Sequence, residues 1–449
     1  MSEIKKIKPS LSKGTRDFLP SEVAKRNYIF DTIKSVFRKY GFEQIETPAI
    51  ERLETLTGKY GEEGDKLLFK ILNSGDYLKD VPTEELSKGN SQSITKFIAE
   101  KGLRYDLTVP LARYVVQHQD DLAFPFKRFH IGPVWRADRP QKGRYQELYQ
   151  CDVDVIGSSS LLNEVELTKI YAEGYEKLGL NVSLRMNNRK ILEALAEYAG
   201  CKELLTEITV AIDKLDKIGI EGVKTELSNL NISAEQQGKI VSLLLIKSLE
   251  ELNSIFENIE IGRKGIEELN FVFKNASLKN VVFDITLARG LNYYTGVIWE
   301  VEFSQSTIGS LGGGGRYDNL TEMFGGQNMS GVGISFGIER IYDVMEELNL
   351  FPETISRGVK ALFVPREKSV EEFTFQQVQK LRDSGIAAEI FLGNVKKQKQ
   401  FSYVEQKKIP FLIEVGSNEM TSGLFRVRNT ATRETGADMT LQDVLCYLQ

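Results

Sequence analysis

The chain of 449 residues has 27% charged residues and a formal net charge of −5, and its length predicts about two to four folded domains. Only two histidines are present, His118 and His130, which excludes a zinc site of the HExxH type and leaves little material for a serine–histidine–aspartate triad. The three cysteines form no CxxC pair, and no apolar run approaches the roughly 20 residues of a membrane span. We therefore expect a cytoplasmic protein that has no signal peptide and no membrane partner.

The N-terminal region predicts a helix, a strand and a hairpin, in that order. Apolar residues recur at three- and four-residue spacing over residues 21–40, with Ser21 as the expected N-cap. Residues 42–50 (FEQIETPAI) have the composition of a strand. Residues 67–78 predict a hairpin that turns at the Asn-Ser-Gly sequence 73–75.

Two longer strands are predicted at 126–136 and 145–156, with the charged loop sequence ADRPQKGR between them. In the second strand Asp152 and Asp154 alternate with valines, so both carboxylates face the same side of the sheet. Carboxylates on an inner face are costly unless they meet a ligand or a partner. A hydrolase with paired carboxylates is conceivable, but no nucleophile with a neighbouring base is evident.

The rest of the chain predicts a second half of the sheet and a small separate domain. A helix near 161–179 and a strand at 180–186 precede a mostly helical block at 188–275, which has the pattern of an insertion. Strands then resume, and after the linker at 352–358 strands alternate with helices, which is typical of a βαβ unit.

Glycine-rich runs and arginines point to an anionic substrate. GGGG at 312–315 lacks the GK[ST] ending of a phosphate-binding P-loop, so a tight turn or a close approach of two backbones is the simpler interpretation. Arg136, Arg289 and Arg340 lie beside glycines or at strand ends, and arginine forks match phosphate oxygens. Together they could hold one polyphosphate, although three structural ion pairs would explain them equally well.

Basic charge is concentrated near the C-terminus. From Gly358 onward the chain has 13 basic and 11 acidic residues, and five lysines lie between residues 393 and 408. Such a local patch can meet phosphate even on an acidic protein. A solvated, lysine-rich loop remains the alternative.

Five segments resemble the motifs of class II aminoacyl-tRNA synthetases and, within them, of the histidyl-tRNA synthetase family. The three general motifs are KYGFEQIETPAIE, FKRFHIGPVWRADRPQKGRYQELYQCDVDVIG and GVGISFGIERI. The two more specific ones, LARGLNYYTG and GGGRYDNL, resemble the histidine motifs of that family.

The resemblance implies an α+β fold. Its core is the antiparallel sheet of class II synthetases, at 1–187 and 276–350, with a helical insertion domain at 188–275. An α/β anticodon-binding domain at 358–449 follows. The family uses its first motif at a dimer interface, so a homodimer is also implied.

The resemblance also implies roles for individual residues, with ATP, L-histidine and tRNA(His) as substrates. The α-amino group of histidine would be bound by Asp106, Thr108 and Gln150. The imidazole would be read by Asp154 and Tyr294, in a pocket shaped by Tyr293 and Tyr317. ATP would be bound by Arg136, Arg289, Arg340 and Asp138, the first two also acting in catalysis at the α-phosphate, with Glu300 as a contact to Mg²⁺. The tRNA would be bound by Arg139, Gln141, Lys142, Arg144, Lys396, Lys397 and Lys399.

The implied reaction is the ATP-dependent activation of histidine and its transfer to tRNA, and two other functions compete with it. One is a regulatory paralogue that activates an enzyme of histidine biosynthesis; such paralogues lack the anticodon-binding domain. The other is an ATP-binding ligase whose amino acid is unknown, if the two tyrosines are only core aromatics. Because neighbours on a strand face opposite ways, only one tyrosine can read the imidazole, and we expect it to be Tyr294.

Overall fold

The computed structural model describes residues 8–58, 61–141, 143–288, 293–319, 321–326, 328–356, 358–393 and 397–449. It divides into two compact units, Met1–Leu350 and Phe351–Gln449. Within the described ranges, no helix combines the length and the apolar composition that a membrane span requires.

The first unit combines many helices with eleven described strands. Its helices are α1 (Pro20–Lys39), α2 (Leu53–Leu56), α3 (Gly61–Lys66), α4 (Thr83–Ser87), α5 (Ser91–Ile98), α6 (Thr108–Gln117), α7 (Leu162–Lys177), α8 (Arg189–Tyr198), α9 (Leu205–Asp213), α10 (Leu215–Asn229), α11 (Ala234–Leu244), α12 (Leu249–Ile255), α13 (Glu260–Ala276) and α14 (Ile338–Glu347). Its strands are β1 (Glu43–Gln44), β2 (Ile50–Arg52), β3 (Lys70–Ile71), β4 (Lys101–Leu103), β5 (Phe126–Trp135), β6 (Glu147–Ile156), β7 (Ser183–Asn188), β8 (Val281–Phe283), β9 (Val297–Glu302), β10 (Gly312–Tyr317) and β11 (Gly331–Gly337).

Eight of the described strands form the main sheet, in the order β1-β5-β6-β11-β10-β9-β7-β8. The six central strands are antiparallel to one another, and the edge strands β1 and β8 pair parallel with β5 and β7. Strands β2, β4 and β3 form a small separate sheet. The antiparallel core that the sequence predicted is confirmed.

Helices α1 and α7 cover one face of the main sheet with aromatic contacts. The ring centroid of Phe37 in α1 lies 5.3 Å from that of Phe129 in β5. The ring of Phe336 in β11 lies 4.9 Å from that of Tyr171 and 5.1 Å from that of Tyr175, both in α7. Because these large side chains are fully buried, they fix the helices on this face and leave the other face of the sheet for the polar residues.

The N-terminal predictions are partly confirmed. Helix α1 matches the predicted 21–40, but Ser21 does not cap it: the helix begins at Pro20, and the Glu22 carboxylate accepts the N–H of Leu19 at 2.5 Å. Proline is suited to the first helical position because it has no N–H to leave unpaired. The predicted strand 42–50 is two short strands, β1 and β2, in different sheets.

The predicted hairpin at 67–78 is wrong. Residues 74–75 do bend, but β3 pairs with the distant strand β4 rather than with a strand directly after the bend. By contrast, β5 and β6 are antiparallel partners over their whole length, from Phe126 opposite Ile156 to Trp135 opposite Glu147, as predicted.

The glycine run in β10 allows two strands to approach closely. A Cβ atom added to Gly314 would fall against the backbone oxygen of Gly333 in β11, whereas one added to Gly313 would have its nearest neighbour, the Trp299 oxygen, at 3.3 Å. We expect Gly314→Ala to lower the free energy of unfolding by about 1–3 kcal/mol and Gly313→Ala to lower it by less. Urea unfolding followed by circular dichroism measures both. Equal midpoints in the two variants would contradict the close approach at Gly314.

The second unit is a small α/β domain. Its elements are β12 (Ala361–Pro365), α15 (Glu371–Asp383), β13 (Ala388–Ile390), α16 (Lys397–Lys407), β14 (Phe411–Val415), α17 (Ser417–Ser422), β15 (Leu424–Asn429), β16 (Thr435–Thr440) and α18 (Leu441–Leu448). The strand order is β13-β12-β14-β15-β16, and the first three strands are parallel. The predicted βαβ arrangement is confirmed, and the antiparallel pair β15–β16 extends it.

Candidate active site

Two rows of residues cross the main sheet on the face opposite α1 and α7. Residues that pair across neighbouring strands share a face, so the registers define each row. The first row consists of His130, Asp152, Ser335, Gly313, Glu300 and Arg185. The second consists of Arg128, Asp154, Gly333, Gly315, Ile298 and Asn187. Carboxylates flank the glycine and serine centre on both sides in the first row, and on the β6 side only in the second row.

A cavity of about 350 Å³ opens above this glycine centre. Most of the site residues expected from the sequence border it: Asp106, Thr108, Arg136, Asp138, Arg144, Gln150, Asp154, Tyr293, Tyr294, Glu300, Tyr317 and Arg340. They come from β6, β9, β10, α6, α14 and the loops between them. The fold thus brings together side chains that lie up to 234 residues apart in the sequence.

Asp154 forms the most strongly connected part of the cavity floor. The hydroxyl of Tyr317 donates a hydrogen bond to its Oδ1, and its Oδ2 lies 2.7 Å from Nη2 of Arg128. Burial raises the pKa of Asp154, and the Arg128 charge opposes that effect. Gly333 lies beside it on β11, where any Cβ atom would overlap the carboxylate.

Asp152 differs from Asp154 in its surroundings. The hydroxyl of Ser335 donates to Oδ1 of Asp152 and accepts from Nε2 of Gln150 at 3.2 Å. Burial, followed by the charge of Asp154, raises the pKa of Asp152 to about 7. The two aspartates share one face of β6, as the sequence predicted, but Asp154 has the closer positive partner.

The two adjacent tyrosines both reach the cavity. Tyr293 and Tyr294 precede β9 instead of lying within it, so the expectation that they face opposite ways on a strand is wrong. Their ring centroids are 4.9 Å apart, and the ring of Tyr294 lies over Gly315. Burial raises the pKa of Tyr294 above its usual range, so its phenol is neutral and can donate or accept a hydrogen bond.

Arg136 is fixed at the cavity wall by Tyr105. Its Nε donates to the Tyr105 carbonyl oxygen at 3.1 Å, and its guanidinium carbon lies 4.4 Å from the centroid of the Tyr105 ring. These contacts hold the planar fork without neutralising its charge. Arg136 is therefore prepared to bind an anion.

Arg340 links the third motif to the loop between β5 and β6. Its Nε donates to the carbonyl oxygen of Gly143 at 3.1 Å, and its Nη1 donates to that of Ser310 at 2.6 Å. In the same loop Gln141 and Arg144 exchange two backbone hydrogen bonds, so the described part of the loop is a tight turn.

The acidic side of the cavity is formed by Glu300 of β9, whose Oε2 lies 3.7 Å from Nη1 of Arg185. Among the residues that the structure describes, no three His, Cys, Asp or Glu side chains are grouped to hold a metal ion. These residues therefore provide no metal site whose ligands all come from the protein. A single carboxylate at the cavity wall is instead suited to a Mg²⁺ ion that is held mainly by phosphate oxygens.

The chain matches known proteins over nearly its whole length. The family model "Histidyl-tRNA synthetase" matches residues 14–78 and 88–341, and the model "Anticodon binding domain" matches residues 360–449. The chain belongs to the histidyl-tRNA synthetase family. The histidine–tRNA ligase of Phocaeicola vulgatus is 52% identical to this chain over 436 residues, and the alignment covers 95% of this chain and 96% of the relative. The histidine–tRNA ligase of Christiangramia forsetii is 50% identical over 439 residues, with the same coverage of both chains. The crystal structure of histidyl-tRNA synthetase from Nostoc is 28% identical, with a TM-score of 0.81 and 99% coverage of both chains.

Some residues expected from the synthetase resemblance do not border the cavity. Arg139 and Gln141 belong to the loop beside it, and Lys397 and Lys399 are exposed on α16 of the second unit. Arg289, Lys142 and Lys396 lie outside the described residues.

Sequence reasoning missed two charged or titratable members of the synthetase sheet. Arg128 and His130 flank the buried Phe129 in β5, and both are buried on the same face as the aspartates. Burial and the charges of Arg128 and Arg104 lower the pKa of His130 to about 3, so this imidazole is neutral. Side chains alternate between the two faces along β5 as they do along β6, so the same argument would have placed Arg128 and His130 together on one face.

Proposed function

We propose that this chain is a histidine–tRNA ligase. It joins L-histidine to ATP to form histidyl-adenylate and pyrophosphate, and it then transfers the histidyl group to the 3′ end of tRNA(His). The observation that carries the proposal is a buried, charge-paired carboxylate, Asp154, beside the neutral phenol of Tyr294 on the floor of a glycine-centred cavity. The histidyl-tRNA synthetase and anticodon-binding family models support it.

Asp154 and Tyr294 provide the two hydrogen-bonding groups that an imidazole requires. The Asp154 carboxylate accepts the imidazole N–H, and the Tyr294 hydroxyl donates to the other ring nitrogen. A side chain without this donor and acceptor leaves buried polar groups unpaired, which costs binding energy. Tyr293 and Tyr317 complete the wall of the pocket.

The α-amino group of histidine would be bound by three other residues that border the same cavity, Asp106, Thr108 and Gln150. Asp106 lies where α6 begins, with its Oδ1 accepting the N–H of Val109 at 3.1 Å. Oε1 of Gln150 is buried and has no hydrogen-bond partner in the described part of the chain. An ammonium group between Asp106, Thr108 and Gln150 would supply the donors that these oxygens accept.

The chemical step needs alignment and charge stabilisation more than proton transfer. A carboxylate oxygen of histidine attacks the α-phosphorus of ATP, a new P–O bond forms, and the bond to pyrophosphate breaks. In this proposal Arg136 and Arg289 stabilise the charge at the α-phosphate, Arg340 binds the γ-phosphate, and Asp138 faces the adenine. Neither histidine of the chain takes part.

Mg²⁺ enters this proposal as part of the ATP substrate. Glu300 is the side chain that would contact it, with phosphate oxygens and water supplying the other ligands. When bound, the ion neutralises phosphate charge.

The tRNA is bound by a loop near the cavity and by the second unit. Arg139, Gln141 and Arg144 of the loop between β5 and β6 would contact the acceptor end, and Lys397 and Lys399 of α16 would contact the tRNA backbone. Lys142 and Lys396 would join them, an assignment that rests on the family resemblance alone. Homodimerisation through the first motif and a cytoplasmic location belong to the same proposal. The three cysteines are free thiols, which suits a reducing compartment.

The lysines of α16 give a direct test of tRNA binding. We expect the double variant Lys397→Ala/Lys399→Ala to raise KM for tRNA by about 3- to 10-fold and to weaken its salt dependence, because two phosphate contacts are lost. Pyrophosphate exchange needs no tRNA and should stay unchanged. Lys368→Ala, an exposed lysine of the same unit outside α16, is the matched control. A double variant with the wild-type KM would rule out this contact.

A regulatory paralogue is not favoured, because the anticodon-binding model matches residues 360–449. The direct experiment is charging of tRNA(His) with radiolabelled histidine and ATP. Histidyl-tRNA formation supports the proposal, and its absence under conditions where a bacterial control enzyme is active would refute it.

A further inference from the structure

Arg128 lies directly behind the imidazole-binding carboxylate. It is 0% exposed and pairs in register with Asp154 across β5 and β6, with Nη2 2.7 Å from Oδ2 of Asp154. It is absent from the residues that border the cavity, so it cannot touch a ligand there. Arg128 therefore acts on a substrate only through the cavity residues that its charge reaches, and Asp154 is the one with which it forms an ion pair.

The buried guanidinium of Arg128 has few polar partners to offset the cost of burying its charge. Nε, Nη1 and Nη2 make no well-aligned hydrogen bond with any described residue, which is unusual for a buried guanidinium. Its neighbour on the same strand, His130, is neutral. Burying a charge without such partners is strongly unfavourable, so the ion pair with Asp154 is its main compensation. A leucine or methionine would fill the same space without that cost.

We propose that Arg128 is a positioning residue that keeps Asp154 ionised and oriented toward the cavity, and that it thereby sets the selectivity of the pocket for an imidazole. This inference rests on the proposed function, because it concerns the same pocket. Arg128 itself takes no part in the transfer of the histidyl group.

The other groups around Asp154 cannot replace this charge. Asp152 on the same strand is acidic, Tyr317 from β10 supplies one neutral hydroxyl, and Gly333 from β11 supplies no side chain. Tyr294 and Asp106 border the same cavity, and neither is positive. Arg128 is the one positive group in the described part of the chain that acts on the Asp154 pKa.

The sign of the effect follows from these charges. Burial raises the pKa of Asp154 and Arg128 lowers it, so removal of Arg128 raises the pKa further. The protonated acid loses the charge that favours an imidazole N–H, and its own O–H competes for the same position. Binding of histidine should therefore weaken at low pH in the variant and recover as the pH rises through the new pKa.

The experiment compares Arg128→Met with Arg128→Lys. The ratio of each variant's KM for histidine to that of the wild type is measured by pyrophosphate exchange from pH 6 to pH 9, so that titration of the substrate imidazole cancels. For Arg128→Met we expect a ratio of about 10 or more at pH 6.5 that falls toward 1 by pH 9, with KM for ATP unchanged. Arg128→Lys retains the charge and should stay within about threefold at every pH.

Two results would overturn the inference: a ratio for Arg128→Met that is raised equally at all pH values, or an Arg128→Lys variant that behaves like Arg128→Met. Thermal melts check the fold, and Arg128→Gln, a neutral polar replacement, takes the place of Arg128→Met if that variant does not fold. A wild-type protein that does not activate histidine would overturn the proposed function and the inference together. Activation of histidine with a pH-independent ratio overturns the inference alone.

Discussion

Arg136→Ala is expected to lower the rate constant of histidine-dependent pyrophosphate exchange by about 100- to 1,000-fold. The fork of Arg136 is held at the cavity wall by the carbonyl and ring of Tyr105, so it is positioned before ATP binds. A donor fixed in advance near the α-phosphate loses no energy to reorganisation when charge develops there. The loss should appear mainly in kcat, with a smaller change in KM for histidine.

The matched control for this prediction is Arg263→Ala. Arg263 is an exposed arginine on α13 that does not border the cavity, and alanine is well suited to a helix interior. Its exchange rate should equal that of the wild type. If Arg136→Ala were as active as Arg263→Ala, the proposed contact with the α-phosphate would be wrong.

Asp154→Asn is expected to lower kcat/KM for histidine by about 1,000-fold or more, because the site loses the charged acceptor of the imidazole N–H. The same change leaves the buried Arg128 without its counter-charge, which should cost about 3–5 kcal/mol of stability. Pyrophosphate exchange at varied histidine concentration measures the first effect. A thermal melt at the assay pH measures the second and shows how much folded protein is present.

Asp152→Asn is the control for this second prediction, since Asp152 lies on the same strand and the same face. The pKa of Asp152 is raised to about 7, so a neutral amide resembles a form that the folded protein already populates. Its hydrogen bond with Ser335 can also be kept by an amide oxygen. We expect kcat/KM to fall by less than about 10-fold. Equal losses in the two variants would show that the pocket does not distinguish between the two carboxylates.

The sequence predicts the parts of the site that depend on local patterns. The alternation in β6 places Asp152 and Asp154 on one face, and the structure has them there. Helix α1 and the strands β5 and β6 also follow from apolar periodicity. These predictions are correct because the geometry of a strand or a helix repeats along the chain, so a few neighbouring residues are sufficient to determine which side faces inward.

The parts that failed depend on distant partners. The chain does bend at residues 74–75, but β3 pairs with β4, about 30 residues later, and no local pattern specifies that pairing. Tyr293 and Tyr294 lie just before β9, where strand alternation does not apply. The pairing of Arg128 with Asp154 requires the register of β5 against β6, which the loop sequence alone does not give.

ATP–pyrophosphate exchange with each of the twenty amino acids in turn, in the presence of Mg²⁺, decides whether histidine is the amino acid that this protein activates. We expect exchange with histidine to be at least about 1,000-fold faster than with any other amino acid, because only histidine satisfies both Asp154 and Tyr294. Exchange that is equally fast with another amino acid, or absent with histidine, would contradict this expectation.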